Sequence, residues 1–448
     1  MALRRGEPLP AEVDLAILGA GGAGQSLLVA LAAAVAAGGR NRRVPSVVVV
    51  DPVRRRGDDR TWCFWDHGVS PVESAVTRSW DHLALVGPDG DRLVTPLVPL
   101  RYAMVRSSAL YALADRAAER LGAVRVEQSV RAVHDLAGFG RPAVFGRPAS
   151  LSSGALVELD DGRRVRARWV ADSRPVPPRR PGGTLLWQQF LGRVIPLPVD
   201  VVDPEVPVLM DFSVPQPPDG VAFCYLVPLA PDQALVEYTE LTAVPLDWAR
   251  GDAVLRWYVE RLCGDRAADR VRWGAGGAEE EGRIPMTDGV FPRRPSPHVL
   301  RIGTAGGATR ASTGYTFSAI QRQVVRLADD LITGRRLSAQ PAYPRRHRWL
   351  DGMVLRVLAA EPLRAPELFL DLFRNLPAPL VLGFLDGRST LAEELAIMRA
   401  VPRELMAPHA GLRRGRIRSG TGSAREPGAR QQPGPLPWTG QEGTERCS

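Results

Sequence analysis

No lysine occurs in this chain; all 58 of its basic side chains are arginine, set against 49 acids for a formal net charge of +9. An all-arginine set of cations suits a GC-rich genome better than a surface selected for a polyanion. Residues 412–448 alone hold seven arginines and three glutamates. Aromatic residues are not interleaved with the arginines in any repeated way, so nucleic-acid binding is set aside, and only weak attraction to anionic lipid is left. Cysteine is scarce too. Cys63, Cys224, Cys263 and Cys447 lie far apart with no CxxC pair, which fits a reduced, cytoplasmic protein. The six histidines lack metal-ligand spacing, so no metal site is expected. Long apolar runs are missing as well. Leu15–Ala37 comes nearest, but the Gly19–Gly24 turn divides it into a short strand and a helix too short to span a bilayer.

What is present suffices for two or three packed units: 448 residues, 45% of them hydrophobic. Val13–Leu18 reads as a strand, running through Gly19-Ala20-Gly21-Gly22-Ala23-Gly24 into a helix from Gly22 to Ala37 that Gly38-Gly39 stops. Gly19, Gly21 and Gly24 occupy the GxGxxG positions. They permit a tight turn, approach of a pyrophosphate to the backbone, and close packing of helix on strand. Phosphate would rest on free N–H groups at the helix start. The β-branched run Val47-Val48-Val49-Val50 ends at Asp51, whose carboxylate can accept ribose hydroxyls. Arg301-Ile302-Gly303-Thr304-Ala305-Gly306-Gly307, followed by Ser312-Thr313-Gly314-Tyr315, reads as a returning half that closes over the far end of a flavin dinucleotide. The two stretches together predict bound FAD, with Gly303, Gly306, Gly307, Thr313 and Gly314 near it. Asp172, in a short acidic turn at a strand end, joins the expected cofactor contacts.

Between these halves the pattern changes. Ser107–Leu121 has helical spacing, while Val124–Val133, Leu156–Leu159 and Arg168–Arg174 read as extended. The proline- and arginine-rich Pro175–Gly183 marks a boundary. Beyond it the period is twofold, predicting strands Leu185–Ile195, Val206–Val214, Val221–Leu229 and Ala234–Leu241. Helices are expected over Leu246–Leu262, Ala319–Leu331 and most of Trp349–Ile397. The expected fold is α/β: a Rossmann-type FAD-binding domain over 13–175 and 299–340, an inserted antiparallel-sheet substrate domain over 176–298, and a helical C-terminal region over 341–410. Residues 1–12 should fray, and the Gly/Arg/Pro/Gln-rich 411–448 should be disordered.

Several separated motifs resemble the bacterial lycopene β-cyclase family, whose members are FAD-dependent and act on carotenoids. They include the glycine turn, Arg60-Thr61-Trp62-Cys63-Phe64-Trp65, Tyr102-Ala103-Met104-Val105-Arg106, and Leu209-Met210-Asp211-Phe212. Phe223–Pro228, Ala234–Thr239, Ile284–Thr287 and Gly303–Phe317 follow in the same order. The resemblance implies a non-redox cyclisation of the ψ end groups of lycopene to β-ionone rings, giving γ- or β-carotene. It also implies reduced FAD as the active form, NAD(P)H as its reductant, and a peripheral seat on a membrane surface.

Such a reaction needs an acid of raised pKa in an apolar pocket and aromatic faces that stabilise a cation. Glu237 matches the first acid of the family's acidic motif and is the expected catalytic residue. Tyr238 stands where better-known members have a second acid. Glu240 does not readily replace it, because in a strand Leu235, Glu237, Thr239 and Leu241 share one face while Val236, Tyr238 and Glu240 share the other. Trp62, Phe64 and Trp65 are expected to line the polyene tunnel or flank a flavin, and Asp66 and Asp211 are further substrate-site candidates. An FAD-dependent hydroxylase or reductase acting on another isoprenoid lipid is the alternative reading, and a carotenoid- or nucleotide-binding protein without activity, in view of Tyr238, is a third.

Overall fold

Alternating and helical hydrophobic periods sort the described residues into three sheets and the helices that cover them. The computed structural model describes residues 2–3, 9–38, 43–68, 70–136, 153–177, 183–264, 271 and 279–409. Residues 1–410 form one unit and 411–448 another; the tail expected to be disordered is that second unit and lies outside the described residues.

The first sheet holds β1 (Ala2–Leu3), β2 (Glu12–Leu18), β3 (Val47–Asp51), β9 (Val124–Glu127), β10 (Val130–Asp135), β11 (Ala155–Leu159), β12 (Arg164–Asp172) and β18 (Val299–Arg301). Its order is β1-β9-β3-β2-β12-β11-β10, with β18 also against β12. The pairs from β1 through β12 and on to β18 are parallel, while β11 and β10 add antiparallel. Where they pair, over Leu15–Leu18 and Val47–Val50, β2 and β3 are apolar and buried, as central strands of a parallel sheet are. One face carries α1 (Gly22–Ala37), α2 (Ser107–Leu121) and α4 (Phe317–Ile332). Gly122, in the left-handed region at φ 62°, ends α2 by turning its N–H back to Ala118 and Glu119. The stretch expected as one strand over Val124–Val133 is two, β9 and β10. At the break Gln128 N–H donates to Asp51 O at 3.1 Å and Ser129 O accepts from Asp160 N–H at 3.1 Å, so the two halves join different neighbours.

The second sheet runs β17-β13-β16-β15-β14-β6-β7, from β6 (His82–Val86), β7 (Arg92–Pro96), β13 (Leu185–Pro196), β14 (Val208–Asp211), β15 (Gly220–Ala230), β16 (Gln233–Thr242) and β17 (Glu279–Thr287). It is antiparallel except for the β14–β6 pair. β6 and β7 fall within 13–175, the stretch read as nucleotide-binding, yet they complete this second sheet. β14 is shorter than the expected Val206–Val214, because the Asp211 side chain draws Ser213 N–H and its hydroxyl into a turn. One face packs on α3 (Trp248–Cys263), which Asp247 caps by accepting from Ala249 and Arg250 N–H. The other packs on α5 (Arg345–Ala360), α6 (Ala365–Asn375), α7 (Ala378–Leu385), α8 (Leu391–Ala400) and α9 (Arg403–Met406).

A third, antiparallel sheet, β4-β8-β5, joins β4 (Thr61–Asp66), β5 (Val76–Trp80) and β8 (Arg101–Arg106). Side chains from its strands enter the apolar clusters of both larger sheets. Among the described residues no helix is long and apolar enough to cross a membrane.

Candidate active site

The glycine turn packs as its spacing demands. A Cβ on Gly24 would lie 2.0 Å from Gly19 O, so only glycine lets α1 approach β2 this closely. Gly19 adopts φ 91°, and a side chain there would meet Ser173 Oγ at 2.4 Å. Above Gly21 the space is open, with no atom within 4 Å of a Cβ position. Gln25 N–H makes a helical bond to Gly21 O at 3.0 Å, and Gly21 has no side chain to cap the N–H groups ahead of it. Asp51 accepts Ala20 N–H at 2.6 Å and Val53 N–H at 2.9 Å, which fixes the carboxylate beside the turn.

The returning segment meets the same helix. Gly303, at φ 61°, lies so near α1 that a Cβ on it would be 2.8 Å from Ala23 Cβ. Gly306 sits over Arg301 O, and Gly307 closes the short Gly303–Gly306 turn in the left-handed region. Gly314, at φ 72°, faces Gln188 Oε1, which is buried without a protein hydrogen-bond partner. Thr313 Oγ1 accepts Tyr315 N–H at 3.3 Å. Asp172 is held instead by Arg174, through Nε and Nη2 at 2.9 Å each. Its neighbour Ser173, which sequence reasoning did not single out, donates to Leu18 O and contacts Gly19.

Glu237 lies on the inner face of the second sheet. Register places Tyr225, Glu237, Gly192 and Glu280 side by side across β15, β16, β13 and β17. Glu237 keeps a partial opening but is ringed by protein atoms, and burial together with the Glu280 charge raises its pKa to about 8. Thr239 Oγ1, on the same face, donates to Glu237 Oε1 at 3.1 Å. Tyr225, cross-strand from Glu237, begins a run of neighbouring rings. Tyr225 and Tyr315 share a hydrogen bond, and Tyr225 packs edge-on against Phe223. Cys63, its thiol pushed up to about 12 by burial, hydrogen-bonds Tyr102. Tyr102, Tyr225 and Tyr315 stand in motifs the sequence singles out but without a site role, and Glu280 carries no local signal at all, because long-range pairing places it in the row of Glu237.

The aromatic run of β4 divides between two sides. Trp62 stacks on Phe317 with centroids 5.4 Å apart and lies over Gly22 at the start of α1. Phe64 also packs on Phe317, at 5.2 Å. Trp65 points the other way, stacking on Tyr102 at 4.8 Å and meeting Tyr315 edge-on at 6.0 Å. Asp66 is buried and paired with Arg101 at 2.5 Å. Asp211 is not brought to Glu237. It shares a face with Cys224 and Tyr238, toward α3, and accepts Tyr258 OH at 2.8 Å. Tyr238 faces α3 too, donating to Glu240 at 2.6 Å, and Glu240 pairs with Arg250 at 2.5 Å.

An apolar pocket lies among Ser312, Thr313 and helices α5 to α9. Its lining includes Thr313, Met353, Phe369, Phe384, Met398 and Val401. On α8, Leu391, Leu395 and Met398 recur at helical spacing and stand 66%, 50% and 37% exposed. Met398 thus belongs both to the cavity wall and to this outer stripe.

A family model described as "Lycopene cyclase protein" matches residues 14–410. A lycopene beta-cyclase of Pseudescherichia vulneris is 25% identical over 379 residues, 80% of this chain and 87% of that one. A geranylgeranyl bacteriochlorophyll reductase-like protein from Thermoplasma acidophilum superposes with a TM-score of 0.52 at 14% identity, over 89% of this chain and 97% of that one. The flavin-dependent brominase Bmp2 gives 0.52 at 12% identity, over 86% and 97%. A flavoprotein/dehydrogenase from Cytophaga hutchinsonii gives 0.51 at 12%, over 89% and 98%. At these identities the solved structures establish the α/β architecture with its Rossmann-type domain.

Proposed function

This chain belongs to the lycopene cyclase family, and from that premise we propose that it is a lycopene β-cyclase, an isomerase forming β-ionone rings from the ψ end groups of lycopene with Glu237 as proton donor. The observation that carries the reading is one carboxyl of raised pKa, partly open, among aromatic rings on the inner face of the second sheet. A group that holds its proton near neutrality can deliver it to a terminal double bond. The resulting cation is drawn inward to close a six-membered ring, and a different proton then leaves, so substrate and product are isomers. The faces of Tyr225, Tyr315, Tyr102 and Trp65 supply cation–π stabilisation, worth about 0.5–2 kcal/mol each.

The residues present fit an FAD. Gly19, Gly21 and Gly24 with the uncapped start of α1 would hold its pyrophosphate, Asp51 its ribose, and Gly303–Gly307 with Thr313 and Gly314 its distal half, where Gln188 Oε1 lacks a partner. When bound and reduced by NAD(P)H, such a flavin supplies negative charge near a developing cation. Trp62 and Phe64, on the α1 side of β4, belong to the cofactor wall; Trp65 belongs to the substrate wall. The apolar lining of the pocket matches a polyene in character, and the Leu391–Leu395–Met398 stripe is its lip on a bilayer surface, where a cytoplasmic, peripherally attached enzyme would meet a carotenoid.

Expression in lycopene-accumulating bacteria, with chromatography of the pigment, tests the reading. Cyclised product without stoichiometric NAD(P)H consumption is expected. Unchanged lycopene beside folded, flavin-loaded protein overturns it, and reductant consumed in proportion to product identifies the alternative oxidoreductase.

A further inference from the structure

Position 238 faces α3, so the acid missing there would never have shared a surface with Glu237 in this fold. A second carboxylate does share it. Glu280 occupies the same lateral row, two strands from Glu237, with Gly192 between them. Because glycine projects no side chain, nothing from β13 separates the two acids. Glu237 leans into that gap: its Cβ, Cγ and Oε2 would each lie 3.4 Å from a Cβ on Gly192.

The two carboxyls are held very differently. Glu280 is 1% exposed and accepts Thr61 N–H at 2.7 Å, Thr61 Oγ1 at 2.5 Å and Arg106 Nη1 at 3.2 Å. Arg106 also donates to Thr61 Oγ1 at 2.7 Å, bracing the same oxygen from both sides. Glu237 has Thr239 Oγ1 alone as a hydrogen-bond donor among its named partners. Two neighbouring buried carboxylates resist simultaneous ionisation, and the charge settles where donors are more numerous. Burial pushes the Glu280 pKa up, but Thr61 and Arg106 act against it. For Glu237, burial and the Glu280 charge act in the same direction, opposed more weakly by the Thr239 hydroxyl and by Arg60, whose charge also favours the Glu280 anion.

We infer that Glu280 is a positioning residue, a pinned anion that keeps the proton on Glu237 through the gap over Gly192. It touches neither substrate nor cofactor in this assignment; it acts through its neighbour's charge state. The inference rests on the proposed role of Glu237 for its functional meaning, and its test separates the two.

The test uses the flavin-loaded, full-length enzyme. Infrared titration follows the C=O band of the protonated carboxyl, assigned to Glu237 by its disappearance in Glu237→Gln. In Glu280→Gln, which keeps the shape and an acceptor but removes the charge, that band should titrate roughly one pH unit lower. Glu280→Asp, which keeps the charge, should restore most of the shift. The alkaline limb of kcat/KM against pH should move with the band while KM at low pH holds. An unshifted Glu237 band in folded Glu280→Gln, or a shift that Glu280→Asp fails to reverse, overturns the inference. If the band moves as stated while the wild-type chain leaves lycopene unchanged, the electrostatic pair stands and the cyclase reading falls.

Discussion

Replacing Glu237 by glutamine should make the protein more stable at alkaline pH while abolishing cyclisation. In the folded chain this carboxyl is raised from 4.5 to about 8, chiefly by burial. The unfolded chain releases the same proton above about 4.5. Between those values the native state binds one more proton than the unfolded state, so stability falls as pH rises through the window and levels off above it. At about 1.4 kcal/mol per pH unit, the raised value corresponds to an upper bound of about 5 kcal/mol lost by pH 9. Partial opening of the site to solvent lowers this, and about 2–4 kcal/mol is the working expectation. Glutamine has the same shape and never ionises, so it escapes this loss. Urea unfolding of wild type and Glu237→Gln, each at pH 5 and pH 9, should show the midpoint difference widening toward high pH with unchanged slope. The variant should retain its flavin and leave lycopene linear. A midpoint difference that stays flat from pH 5 to 9 refutes the burial argument, and near-normal turnover refutes the assigned role.

Tyr238→Phe removes the hydroxyl that donates to Glu240 at 2.6 Å on the α3 side. It should cost about 1–2 kcal/mol in urea unfolding and leave pigment conversion and its pH profile unchanged; a profile shifted by a full pH unit would place Tyr238 with Glu237 after all. Leu395→Glu, on the exposed stripe of α8, should reduce flotation with anionic liposomes several-fold while leaving the fold intact, and equal flotation of the two proteins would remove α8 from the membrane contact.

Local patterns were read correctly because local physics fixes them. α1 has the bounds that its glycine turn and the following glycines predict, Gly22–Ala37, and α2 those of its apolar spacing, Ser107–Leu121. The alternation along β16 separates Glu237 from Tyr238 and Glu240, since side-chain direction in a strand depends only on parity. Pairing partners were not legible. Glu280 stands in Glu279-Glu280-Glu281, an acidic run that reads as solvated surface, and it is buried only because β17 pairs with a strand some 90 residues earlier. The same limit hid β6 and β7, whose placement depends on β14, more than 100 residues away. For Trp62, Phe64 and Trp65 the choice between tunnel and flavin stays open in the sequence, because proximity along the chain does not say which of two apolar clusters each ring enters.

β4 therefore works as a partition, one residue thick, between two compartments. Odd positions (Thr61, Cys63, Trp65) face Glu280, Tyr102 and Tyr315, and even ones (Trp62, Phe64) face Phe317 and the start of α1. Inserting or deleting a single amino acid within it would swap the furnishings of both rooms at once, whereas substitutions can retune either room separately. Diversification of this segment should consequently proceed by exchange of side chains at fixed length.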